Sequence, residues 1–387
     1  MKKRLFVLIL CFLIFFVNVI SVVKAYTLED QKLPFEIKSK SAILMDASTG
    51  TILFEKNSHE KLAPASITKI MSLILFLEAV ENGKINLNDK VIASEHASSM
   101  GGSQIFLAPG EEMTVEDLIK SVVLVSANDA TVALAEYITG SEEIFTKMMN
   151  EKAAALNMKD THFKNSTGLP EEGHYTSAYD VALMSRELIK HPLFFNWSTI
   201  WVDSLRDGKF DLVNTNKLIR YYKGADGVKT GSTEEAKFCL AATAKRGNLR
   251  LIAVVMGAPD SKTRFNEAAK LLDYGFANYD YLPVYGKNDI VKTVNVEKGN
   301  LSQINLIVQN DVGILVKKGE VQNIDKRVTL NPIIKAPIKK GQELGKLILL
   351  KDGKEFLSVP LVADRDVKKL SLYDGLLKIF KNWLKIK

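Results

Sequence analysis

The spacing of apolar and polar residues changes several times along the chain, and each change predicts an element. Ser41 to Leu44 and Thr51 to Phe54 are short apolar runs around Asp46-Ala47-Ser48-Thr49-Gly50, which predicts a hairpin. Ile67 to Val80 is strongly apolar and predicts a helix. Val115 to Val125 predicts another, with Thr114 at its start and Glu116 and Asp117 in its first turn. Ala236 to Ala244 and Leu249 to Gly257 predict two strands joined by Lys245-Arg246-Gly247-Asn248. Strands at both ends of a segment with helices between them imply a sheet covered by helices, an α/β or α+β core reaching about Tyr281.

From about Pro283 to Asp366 the pattern shortens. Runs such as Ile304 to Val308, Ile314 to Val316 and Leu347 to Leu350 are cut by glycine-containing turns, which predicts a small all-β domain. No repeat of fixed period and no low-complexity tract interrupts the chain. The ends are different again. Lys2, Lys3 and Arg4 precede an unbroken apolar stretch from Leu5 to Val17, and Val23 and Ala25 fit a cleavage pattern with Tyr26 as the new N-terminus. A retained membrane anchor is the alternative, since Leu5 to Val23 is nearly long enough to span. From Ser371 to Ile386 the lysines fall on one helical arc, while Leu372, Leu376, Phe380 and Trp383 lie on the other. This predicts an amphipathic helix lying at a membrane surface or docked on the protein. The expected division is a signal peptide over 1–25, a catalytic domain over 26–281, a β-rich domain over 282–366 and an amphipathic helix over 367–387.

Composition limits the function classes. The 387 residues are 47% hydrophobic and 25% charged, an ordinary globular balance. The formal charge of +7 resides at the two ends, and residues 26–366 carry about −2. A nucleic-acid partner therefore loses its electrostatic basis. With residues 1–25 removed Cys239 is the only thiol, so no intramolecular disulfide forms. The five histidines show no His-Glu-x-x-His spacing, so a metal has no support. No Gly-x-Ser-x-Gly elbow is present for a histidine-based triad. Cys239 reads as strand filler and His174 as a packing or capping residue near the site.

Three short motifs carry chemistry. Ser66-Ile67-Thr68-Lys69 opens the apolar helix, where residues i and i+3 share a face, so Lys69 would stand beside the Ser66 hydroxyl. Ser58-His59-Glu60-Lys61 repeats the spacing in a polar, turn-like stretch. Taken alone, the motif reads first as a helix cap at Ser66 and a solvated lysine at Lys69. A lysine acts as a base only when neutral, and bringing its pKa from about 10.4 to near 7 takes roughly 4 to 5 kcal/mol. Burial supplies part of this and a second cation nearby supplies more. Lys229-Thr230-Gly231, just before a predicted strand, offers that cation, and Gly231 lets two backbones approach closely. The third motif is Ser126-Ala127-Asn128, at the end of the second apolar helix, where capping is the alternative role. Together, in this order and separated by about 60 and 100 residues, the motifs point to one site.

In these motifs the chain resembles the penicillin-recognising serine acyl-transferases. More narrowly, it is similar to the serine-type D-alanyl-D-alanine carboxypeptidases, the low-molecular-mass penicillin-binding proteins. Ile43 to Gly50, Asn165 to Pro170, His174 to Ala178 and Asp226 to Thr233 extend the likeness, and none of the three motifs departs from the family pattern. The resemblance implies a β-lactamase/transpeptidase-like catalytic domain, no cofactor, peptidoglycan stem peptides as substrate and β-lactam antibiotics as inhibitors. It implies Ser66 as nucleophile, Lys69 as the acceptor of its proton and Ser126 as the donor to the departing D-alanine. Asn128 would hold Lys69 and the substrate amide. Lys229, Thr230, Gly231 and Ser232 would bind substrate, with the Ser66 and Ser232 N–H groups as oxyanion hole. Arg264 is a further candidate to approach the substrate. An exported protein on the outer face of the cytoplasmic membrane is the expected setting. A β-lactamase-type hydrolase, a D,D-endopeptidase and a catalytically silent wall-binding protein are the alternatives. Against the first, Glu171-Glu172 lacks the Glu-x-x-Leu-Asn setting of class A enzymes.

Overall fold

A computed structural model describes residues 34–320, 323–351 and 353–370. The expected signal peptide lies outside these residues, and so does the expected amphipathic helix from Ser371 on; its first residues are not helical, since Val367 and Lys369 form β-bridges with Ile338 and Gly299 and so belong to the β-rich region.

The predicted hairpin forms as β1 (Ser41–Asp46) and β2 (Ile52–Lys56), paired antiparallel. Three more strands come from far along the chain: β3 (Ala225–Thr233), β4 (Lys237–Arg246) and β5 (Leu249–Ala258). They complete one five-stranded sheet in the order β2-β1-β5-β4-β3. Every pairing is antiparallel, so the core is α+β rather than a doubly wound parallel sheet. The β4–β5 connection is tighter than its sequence suggests. Lys245 and Arg246 pair within the ladder, and Gly247, at φ +58, supplies the left-handed residue that a two-residue turn requires.

Helices cover both faces. Ile252, Val254 and Met256 of β5 join the larger core with α1 (Lys69–Glu81), α2 (Val115–Leu124), α3 (Asn128–Thr139), α4 (Glu142–Ala155) and α5 (Ala178–Leu188). Alternate residues point the other way. Leu251 and Leu44 meet Gly275 of α6 (Ser261–Asn278), which lies on the opposite face. Helix α1 is buried almost all round, as its uniform hydrophobicity predicts, and Phe76 on it packs 5.2 Å from Phe145 of α4. Thr114 caps α2 by accepting from the Asp117 N–H, as expected.

Helix α6 leads directly into the second region. There β6 (Tyr279–Tyr285) pairs with β9 (Val312–Lys317). A five-stranded sheet is built from β7 (Ile290–Asn295), β8 (Gln303–Ile307), β10 (Ile324–Leu330), β11 (Glu343–Lys351) and β12 (Lys354–Ala363), in the order β7-β8-β12-β11-β10. This is the all-β domain the pattern predicts, closed over a separate aliphatic core.

Candidate active site

Ser66 lies in a tight 3-10 turn, Ala65–Thr68, that runs into α1. The helix predicted from Ile67 becomes α-helical only at Lys69, because Ala65 is left-handed at φ 49 and the following turn is held by a distant loop. Gly168, at φ +86, approaches so closely that a Cβ there would lie 1.9 Å from the Ala65 carbonyl oxygen. Only glycine permits that contact. The capping role for Ser66 falls away, since Pro64 and Thr68 occupy the cap positions and neither makes a side-chain cap bond.

Lys69 is fully buried at the start of α1. Its Nζ donates to Ser66 Oγ at 3.2 Å, to Asn128 Oδ1 at 2.5 Å and to the Thr167 carbonyl at 2.7 Å. Three acceptors match the three protons of an ammonium. Its pKa is nonetheless pushed well below the ordinary amine range, first by burial and then by the charge of Lys229, while Asp129 and Glu142 oppose the shift. A cation at a helix N-terminus also faces the positive end of the helix dipole.

Ser126 and Asn128 occupy the corner between α2 and α3. Neither caps a helix: Ala127 is the cap position of α3, without a side-chain bond. Ser126 is left-handed at φ 65 and its buried Oγ has no hydrogen-bond partner among the described residues. A strained backbone presenting a bare hydroxyl is the kind of feature that collects at functional sites. Asn128 Nδ2 donates to the Gly101 carbonyl at 2.6 Å, which turns Oδ1 toward Lys69.

The third motif lies along the edge strand β3. Lys229 pairs with Ala241 and Gly231 with Cys239, both residues of the helix-side core, so Lys229 and Gly231 face Ser66 and Lys69. A Cβ on Gly231 would lie 3.0 Å from Ser66 N and 2.9 Å from Ile67 N. The glycine thus sets the nearest approach of strand to serine turn. Lys229 is 1% exposed and its pKa falls to about 7, through burial and then the charge of Arg264. Thr230 Oγ1 is 2.9 Å from Thr215 Oγ1, and Ser232 is exposed on the same strand.

Several supporting residues carry no signal in the motifs. Asn165 Oδ1 accepts from the Thr167 and Gly168 N–H groups, and so aims the Thr167 carbonyl at Lys69. Glu142 Oε1 accepts from Ser166 N and Oγ, and Ser72 donates to the Ser166 carbonyl. Asp129 accepts from the Ile105 and Leu107 N–H groups. His174 bonds Thr68 Oγ1 through Nε2 at 2.9 Å, and its pKa drops to about 4 through burial and His162, so it is neutral near pH 7. Asn165, Gly168 and His174 fall in the stretches that extend the family likeness. Asp129, Glu142 and Thr215 reach the site only through tertiary structure. Arg264 is buried, with its Nη1 donating to the Gly231 and Cys239 carbonyls.

An antiparallel sheet flanked by helices, with a buried lysine bonded to a serine hydroxyl at its edge, defines a penicillin-recognising serine hydrolase. Comparison with known proteins narrows the class. Residues 27–260 match the family model described as D-alanyl-D-alanine carboxypeptidase, and residues 279–369 match that of the penicillin-binding protein 5 C-terminal domain. The chain is 50% identical over 369 residues to the D-alanyl-D-alanine carboxypeptidase DacF of Bacillus subtilis, covering 94% of this chain and 95% of that protein. It is 34% identical to DacC of Escherichia coli, with 90% of each covered. Penicillin-binding protein 5 from Haemophilus influenzae superposes with a TM-score of 0.73 at 33% identity, over 87% of this chain and all of that one. The ampicillin-bound penicillin-binding protein D2 of Listeria monocytogenes gives 0.58 at 30% identity, over 62% and 99%. The chain belongs to the D-alanyl-D-alanine carboxypeptidase family, as a serine hydrolase with the β-rich C-terminal domain.

Proposed function

We propose that the enzyme removes the terminal D-alanine from peptidoglycan stem peptides through an acyl-enzyme on Ser66, and that β-lactams acylate the same oxygen. The observation that carries this is the 3.2 Å contact between Ser66 Oγ and a lysine whose burial and cationic neighbour favour its neutral form. Once neutral, Lys69 accepts rather than donates in that contact and takes the serine proton as Oγ attacks the carbonyl between the two D-alanines. The negative charge that develops on that carbonyl oxygen is met by the N–H groups of Ser66 and Ser232, worth roughly 3 to 4 kcal/mol per donor. The C–N bond then breaks, and the proton reaches the leaving nitrogen through Ser126. Water hydrolyses the ester by the reverse proton path, which yields free D-alanine and a stem peptide one residue shorter. Asn128 holds Lys69 and the substrate amide, while Lys229 and Thr230 bind the terminal carboxylate at the strand edge that Gly231 leaves open.

The basic, apolar N-terminal stretch supports export, and the lysine-rich amphipathic pattern after Ser371 supports attachment at the outer face of the cytoplasmic membrane. Intact-mass measurement after adding penicillin, followed by assay of D-alanine release from a pentapeptide, tests the chemistry. The expected result is a long-lived adduct on Ser66 and free D-alanine. Rapid turnover of the adduct without D-alanine release would instead identify a β-lactamase.

A further inference from the structure

Three segments leave the five-stranded sheet of the β-rich region at one end: the β7–β8 turn, the β10–β11 connection and the residues after β12. Backbone hydrogen bonds join them into one corner. Glu297 N donates to the Ile334 carbonyl and Ala336 N to the Glu297 carbonyl, Ile338 and Val367 exchange bonds, and Leu370 N donates to the Lys298 carbonyl at 2.8 Å. Lys298, Lys335, Lys339, Lys340, Lys368 and Lys369 are exposed on this corner, with only Glu297 and Asp366 among them. None of the six lysines forms an ion pair among the described residues. Like charges gathered this way repel, and they favour association with a surface of opposite sign.

The charge is also divided along the chain. Residues 26–278 carry about −5 and residues 279–370 about +5. Two large apolar side chains accompany the lysines: Ile333 is 67% exposed and Leu301 is 37% exposed. Exposed apolar tips set among lysines suit a boundary that is anionic at its surface and apolar just beneath it.

The chain passes out of this corner at Leu370, and the 17 residues that follow carry four lysines against Asp374. That segment has the same sign as the corner, so it is repelled by the lysines and does not neutralise them. We propose that the corner is a lipid-contacting surface, at which these lysines meet the headgroups of an anionic bilayer and Ile333 and Leu301 reach toward the acyl chains. The inference deepens the membrane attachment proposed above: the folded β-rich region itself holds lipid, beside the segment after Ser371. Two linked contacts bind more tightly than either alone and fix how the protein stands on the bilayer.

Sedimentation of the full-length enzyme with phosphatidylcholine vesicles containing 30% phosphatidylglycerol tests this. Combining Lys335→Gln, Lys339→Gln and Lys368→Gln should weaken binding about 10²-fold, at roughly fivefold per lysine. An equal loss of charge elsewhere on the same region, through Lys292→Gln, Lys346→Gln and Lys354→Gln, should weaken it less than about fivefold. Ile333→Ser should weaken it roughly fivefold. D-alanine release from a soluble peptide should match wild type in every variant, which shows that each is folded. Equal binding by the two lysine triples overturns the proposal. So does binding to soluble polyglycerol phosphate as tight as to vesicles and indifferent to Ile333→Ser, which would assign the corner to an anionic polymer. A third triple, Lys378→Gln, Lys381→Gln and Lys385→Gln, separates the two contacts. If it binds as wild type while the corner triple does not, the attachment through the terminal segment fails and the corner stands; the reverse result removes the corner alone.

Discussion

The two cores of this molecule are built by opposite rules. Around the cleft, Lys69, Lys229, Asp129, Asn128, Ser126 and Arg264 are all buried, beside helices and strands of ordinary apolar packing. In the β-rich region no charged, amide or hydroxylic serine or threonine side chain is buried among the described residues, and the core is made of valine, isoleucine, leucine and alanine. A chain that buries cations in one region and none in the other keeps them there against the cost of desolvation. The contrast locates the chemistry in the first region without reference to any relative.

The sharpest way to break the contrast is at Ser66. Ser66→Ala removes the proposed acyl acceptor, and penicillin adduct formation and D-alanine release should each fall at least ~10⁴-fold, with the circular dichroism spectrum unchanged. On the other side, Leu347 is fully buried at the centre of the β-rich core, paired with Val328 and Val359. Leu347→Ala should destabilise that region by about 2 to 5 kcal/mol in denaturant titrations, while Ser66 acylation in the folded protein keeps its rate. A loss of acylation there would mean that the β-rich region shapes the cleft.

Gly231→Ala tests how close the strand must come. Its Cβ would press on Ser66 N and Ile67 N, and acylation should slow by about 10²-fold while the Lys229 pH dependence survives. The smallest effect is on stability and has the opposite sign. Lys229→Met replaces a buried cation by an apolar chain of similar length and should raise stability by roughly 1 to 3 kcal/mol near pH 7, with loss of substrate binding. The folded-state pKa of Lys229, about 7, lies below the ordinary lysine value of 10.5. The unfolded chain therefore holds this proton more tightly, so the wild-type penalty is complete below pH 7 and fades as pH rises toward 10.5. Thermal melts at pH 6.5 and pH 9.5 should show the variant's advantage shrinking.

What could be read from the sequence was local. The β1–β2 hairpin, the Thr114 cap and the β4–β5 pair depend on neighbours within a few positions, and their pattern determined them within one or two residues. The serine turn did not declare itself, because its geometry is imposed by Gly168 about a hundred residues away. For the same reason Asn128 looked like a turn former, although its role is to span Gly101 and Lys69. The motifs supplied the side chains that meet at the cleft. The groups that aim them, such as the Thr167 carbonyl and the Glu142 carboxylate, come from loop closures that no short pattern encodes.

The bare hydroxyl of Ser126 carries a consequence for drug design. A ligand that offers an acceptor to this oxygen supplies a bond that none of the described residues makes, worth on the order of 1 kcal/mol in affinity. Among β-lactams sharing a ring and differing in their flanking groups, potency against this enzyme should follow which of them reaches that oxygen.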